Sequence, residues 1–87
     1  MVTVWIPSLL RDMTHGKHEL QVEARTVREV VAQLELMFPG IAERLVQDNR
    51  LRPGLMLVVD GASSNEGLRY VLDPGSEVHF VPAMSGG

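Results

Sequence analysis

The feature that most constrains this 87-residue chain is its single sustained helical period, at residues 26–38, "TVREVVAQLELMF". Val27, Val30, Val31, Leu34 and Phe38 fall on one stripe, while Arg28, Glu29, Gln33 and Glu35 fall on the water side. Thr26 followed three residues later by Glu29 forms a capping box, in which hydroxyl and carboxylate each satisfy a backbone amide left without a partner at a helix start. "FPG" at 38–40 ends the helix. One stripe needs one apolar surface to lie on, and 87 residues leave room for only one core.

The flanking segments read mainly as strands and turns. "VTVWI" at 2–6 is β-branched and aromatic, and Pro7 ends it. The polar "RDMTHGKH" centres on a turn at Gly16, after which "HELQV" alternates Leu20 and Val22 inward, completing a hairpin. "IAERLV" at 41–46 fits one short further turn of helix, and "QDNRLRPG" reads as a polar loop. "LMLVVD" at 55–60 shows no polar alternation, as expected of a strand packed on both faces or partly covered. "GASSNEG" at 61–67 reads as an exposed loop and the segment from Leu68 as a short edge strand. Asp73-Pro74-Gly75 reads as a turn, and Glu77 to Val81 as the final strand. The expected class is therefore α+β: a β-grasp (ubiquitin-like) roll with a mixed four- to five-stranded sheet, the first and last strands side by side at its centre, and one main helix on one face.

Composition removes several functions. The net charge of −3, with both signs interspersed, argues against nucleic acid. No stretch approaches the ~20 apolar residues of a membrane span, and no basic segment precedes the first apolar run, so the chain reads as mature and cytoplasmic. The absence of cysteine rules out thiol chemistry and thiolate metal sites. His15 and His18 flank a turn without an evident third ligand, so no metal site is expected. No phosphate-binding glycine loop is present and no serine carries a signature linking it to a base, so neither a bound cofactor nor a catalytic residue is expected.

The end of the chain, "SEVHFVPAMSGG", is the remaining unusual feature. Pro82 fixes its own φ and cannot extend a ladder, so residues 1–82 are expected to form the domain and residues 83–87 a flexible arm. Five residues span up to roughly 17 Å. Two terminal glycines fit a frayed end; they also fit a terminus that threads a narrow channel and offers an acyl carbon with no side chain in the way. A carboxylate is a poor electrophile and must first be activated, for instance as a mixed anhydride with AMP, which would make the protein a group carrier.

The terminal pattern, an acidic residue, Val, any residue, Phe, any residue and Pro, followed by a small-residue arm and Gly-Gly, resembles that of the ubiquitin-like sulfur-carrier (ThiS/MoaD) family. Its members include the thiamine-pathway carrier, the small subunit of molybdopterin synthase and a cysteine-biosynthesis carrier. The resemblance extends to the start "VTVWIPSLLRDMTHG" and to "PGIAERL", which are most similar to the cysteine-route carriers. It implies that the Gly87 carboxylate is adenylated by a separate E1-like enzyme, which uses the ATP, and becomes a thiocarboxylate. Gly86, Ser85 and Met84 would thread the enzyme's channel, and Val81 would make an apolar contact with it. The sulfur acceptor would be a pyridoxal-phosphate cysteine synthase, with a JAMM-type metalloprotease releasing the product, or the large subunit of molybdopterin synthase. A ubiquitin-like modifier that forms amides with lysines is the alternative from another class, and Lys17 is this chain's only lysine.

Strand alternation points to a docking surface separately from the resemblance. If Val78 and Phe80 face the helix, His79 and Val81 face the uncovered side of the sheet together with Thr3 and Trp5. Trp5, His79 and Val81 then form a partner-binding patch with an aromatic anchor. A register shifted by one would instead bury Trp5 in the core.

Overall fold

The computed structural model describes residues 1–83. The expected helix is present as α1 (Val27–Met37), and all five stripe residues are buried. Thr26 Oγ1 accepts the Glu29 amide at 3.2 Å, and Glu29 Oε1 accepts the Arg25 amide at 2.8 Å, so the carboxylate reaches one residue further back than the usual box. Gln33 is half-buried. Glu35 is not simply a water-facing residue: it is half-buried and its carboxylate accepts the amides of Gly40 and Ala42 at 2.9–3.1 Å. It thereby caps the short helix α2 (Ile41–Leu45), whose N-cap Gly40 has no side chain to do so.

Five strands form the main sheet: β1 (Val2–Trp5), β2 (Glu19–Val22), β5 (Leu55–Val59), β6 (Ala62–Ser64) and β7 (Glu77–Pro82), in the order β2-β1-β7-β5-β6. β1 and β7 are parallel neighbours at the centre, with Val4 opposite Val78, and every other pairing is antiparallel. This is the β-grasp arrangement. Val2, Val4, Leu57, Val59, Val78 and Phe80 point from the sheet into the core beneath α1. Each such side chain contributes about 1.5–3 kcal/mol on burial.

Three segments depart from the sequence reading. "QDNRL" is not a plain loop: β3 (Val46–Gln47) and β4 (Arg50–Leu51) pair through a two-residue turn in which Asp48 and Asn49 take φ of 54° and 63°. "GASSNEG" contributes the edge strand β6, joined to β5 through Asp60-Gly61, both at positive φ. Consequently the segment after it is not the edge strand; it begins with a 3₁₀ turn (Gly67–Arg69), buries Leu68 and Leu72 in the core and makes an isolated Thr26–Val71 bridge. β5 takes the second of its two expected forms, partly covered: Leu57 and Val59 are fully buried while Met56 is exposed and Val58 half-exposed.

Between β1 and the polar turn, a 3₁₀ segment (Ser8–Leu10) buries Leu10. Thr14 is also fully buried, its hydroxyl donating to the Lys17 carbonyl at 2.6 Å. This hydrogen bond offsets the cost of burying the hydroxyl. The turn at 73–75 closes with the Ser76 amide on the Asp73 carbonyl at 3.0 Å, and Gly75 supplies the required positive φ of 84°.

Candidate docking face and terminal arm

Strand alternation sends Trp5 and Thr3 from β1, Glu77, His79 and Val81 from β7, and Met56 and Val58 from β5 to the face that carries no helix. The registers align Trp5 with His79, His79 with Val58, and Val81 with Met56. Trp5, His79 and Val81 therefore share the open face, and the register that would bury Trp5 is not adopted. Trp5 is half-buried by its neighbours, not by the core.

The Trp5 indole is held in place from two directions. His79 stacks on it with ring centroids 5.4 Å apart and planes 8° from parallel, and Glu77 Oε1 accepts its Nε1–H at 3.1 Å. His18 lies 6.3 Å away at a tilt of 31°. The result is an amphipathic platform: an aromatic pair at the centre, Val58, Met56 and Val81 along one side, and carboxylates at the rim. Met56 and Val58 were missed by the sequence reading because every residue of "LMLVV" is apolar. Their only signal was the parity that pairs them with the outward positions of β7.

β7 carries this platform and also delivers the chain terminus. The ladder continues past Pro82, which pairs with Leu55, and the Ala83 amide donates to the Gly54 carbonyl at 2.7 Å. Pro82 thus occupies the last strand position, where its missing N–H costs no inner ladder bond. The expected tail residues Met84, Ser85, Gly86 and Gly87 lie outside the described residues. Gly87 is six residues beyond Val81, a reach of at most about 20 Å. A shallow groove beside the foot of the arm is lined by Leu51, Leu55, Leu57, Asn65, Gly67 and Ala83 among others.

His15 and His18 are both exposed and lie apart, the His15 ring 6.0 Å from that of Phe38 and the His18 ring beside Trp5. Among the described residues no group of three or more His, Asp or Glu side chains is gathered to hold a metal ion. Ser76 is buried, but its hydroxyl is used structurally, accepting the Asp73 amide and donating to Asp60 Oδ2, both at 3.1 Å. No helix among the described residues is long and apolar enough to cross a membrane.

The ThiS family model matches residues 4–87. The sulfur carrier protein CysO of Mycobacterium tuberculosis is 31% identical over 91 residues, covering 99% of this chain and 98% of that protein. A chain of the Amycolatopsis orientalis BexX/CysO complex superposes with a TM-score of 0.90 at 30% identity, both chains being covered completely. Small archaeal modifier protein 3 of Haloferax volcanii is 31% identical over 64 residues, 71% of this chain and 70% of that protein.

Proposed function

This chain belongs to the ThiS family, and from that membership we propose that it is a sulfur carrier whose reactive group is the carboxylate of its own Gly87. The observation that carries the proposal is that the family match runs to residue 87, the last glycine, on a chain similar along nearly its whole length to a sulfur carrier. In this reading residues 1–82 are the docking body and residues 83–87 the arm.

A separate E1-like enzyme supplies the ATP site. A Gly87 carboxylate oxygen attacks the α-phosphorus of ATP, pyrophosphate leaves, and the resulting acyl-adenylate has an acyl carbon open to attack. Hydrosulfide adds there, AMP leaves with the bonding electron pair, and a thiocarboxylate remains. Its sulfur is then the nucleophile toward an acceptor such as the β-carbon of an aminoacrylate held by a pyridoxal-phosphate enzyme, the α-carbon taking a proton as the C–S bond forms. The acyl group then passes from sulfur to the amino nitrogen of the product, and a metalloprotease hydrolyses that amide with water, returning the Gly87 carboxylate. Gly86, Ser85 and Met84 thread the channel of the adenylating enzyme, small side chains at the last three positions keeping the approach open. Trp5, His79 and Val81, with Met56 and Val58, dock the body so that the arm enters in line.

The test is exchange of labelled pyrophosphate into ATP by candidate adenylating enzymes. Exchange that requires this chain, and is absent with a chain lacking Gly87, is the expected result. Exchange that is indifferent to Gly87 would remove the proposal.

The likeness to an archaeal modifier favours one second reading, in which the same acyl-adenylate is taken by a lysine amine of another protein, AMP leaving as the amide forms. Branched peptides bearing Gly87 on a lysine would identify that outcome.

A further inference from the structure

A second cleft, apart from the open face, forms where α1, the β3–β4 hairpin and the 3₁₀ turn Gly67–Arg69 meet. Arg28, Arg50 and Arg69 line it, one from each of these elements, and among the described residues Glu66 is its only acidic lining residue. The cleft is therefore net positive on a chain whose overall charge is −3. All three arginines are exposed, and Arg28 Nη1 donates to the neutral Asn49 Oδ1 at 2.6 Å, which holds its charge at the cleft without cancelling it. Three like charges gathered at one place repel one another, so their juxtaposition favours an anionic occupant.

Leu51, Asn65 and Gly67 line both this cleft and the groove at the foot of the arm. The two therefore adjoin across these residues as one surface, apolar beside Ala83 and basic at the far end. We infer that this groove docks an extended segment of the partner that takes up the terminus, with apolar side chains beside Ala83 and acidic side chains against Arg28, Arg50 and Arg69. The inference rests on the carrier role proposed above. Guanidiniums supplied by side chains of three different elements fit several carboxylates better than a single phosphate, which would call for converging backbone amides. Because exposed pairs add little affinity one by one, the contribution is to steering and orientation.

The test compares the wild-type chain with Arg50→Glu/Arg69→Glu and Arg50→Gln/Arg69→Gln, using an adenylating enzyme that supports pyrophosphate exchange with the wild type. At about 50 mM salt the charge-reversed chain should lose roughly tenfold in kcat/KM with kcat unchanged, the glutamine chain should fall between, and the gap should close toward about 500 mM salt. Melting temperatures within a few degrees of wild type show that the fold is kept. Equal kcat/KM at low salt, or a loss that salt does not relieve, would overturn the inference. So would binding of a single-stranded oligonucleotide by the wild type alone with exchange unaffected, which assigns the cleft to a polyanion. If no enzyme supports exchange even with the wild type, the carrier role fails and takes this inference with it; exchange that ignores the arginines removes only the inference.

Discussion

Replacing Trp5 with alanine separates what this residue does for the fold from what it does for a partner. The ring stacks on His79 at 5.4 Å, a pairing worth about 0.5–1.5 kcal/mol. The bond from its Nε1 to Glu77 lies at the surface and adds about 0.5–1 kcal/mol. Stability should therefore fall by about 1–2.5 kcal/mol, which for a domain this size lowers the melting temperature by roughly 5–15 °C. No core cavity opens, since Trp5 lies across the sheet from Val4 and Val78. As the aromatic centre of a docking face, however, it should cost the partner at least about 2 kcal/mol, a rise of roughly thirtyfold in KM for exchange. Thermal melts and exchange kinetics on the same samples, below the variant's melting transition, measure both. Trp5→Phe, which keeps a ring against His79, should recover most of the KM. A variant that melts as expected but has an unchanged KM would show that Trp5 is structural only and that the open face is not where the enzyme docks.

Two further outcomes follow from the helix ends. The amides of Gly40 and Ala42 hold the Glu35 carboxyl below its ordinary value of 4.5, so its contribution is fully present above that pH and is lost as pH falls through the lower folded-state value. The stability gap between wild type and Glu35→Gln, read from denaturant midpoints, should be widest near neutrality and close in acid; a gap that does not change with pH would contradict this. Thr26→Ala removes the hydroxyl that accepts the Glu29 amide and should cost about 1 kcal/mol, with exchange activity unchanged per folded molecule. Circular-dichroism melts check the first part, and an unaltered melting temperature would refute it.

Much of this architecture was legible because local and tertiary preferences agree. The stripe from Val27 to Phe38 and the Thr26–Glu29 cap define α1 without help from the rest of the chain, whereas the alternation along β7 left two registers open, of which the structure adopts the one that turns His79 and Val81 outward. β3 and β4 have two residues each, too few for any period, so only their pairing reveals them. β6 is built from turn-type residues, Ala62-Ser63-Ser64, and becomes a strand because β5 offers it a ladder. A signal for that hairpin was nevertheless present, since Asp-Gly at 60–61 suits the positive φ of a two-residue turn. The arginine cleft could not be read at all: Arg28, Arg50 and Arg69 are far apart in sequence and only the fold unites them.

The measurement that reaches the central claim most directly is intact-mass analysis of the chain after incubation with ATP, sulfide and the adenylating enzyme, beside a chain lacking Gly87. A mass gain equal to the exchange of one oxygen for sulfur, located on Gly87 and absent from the shortened chain, is the predicted result. Adenylation of the wild type with no such gain, and Gly87 found instead joined to lysines of other proteins, would contradict the carrier role and make this a modifier.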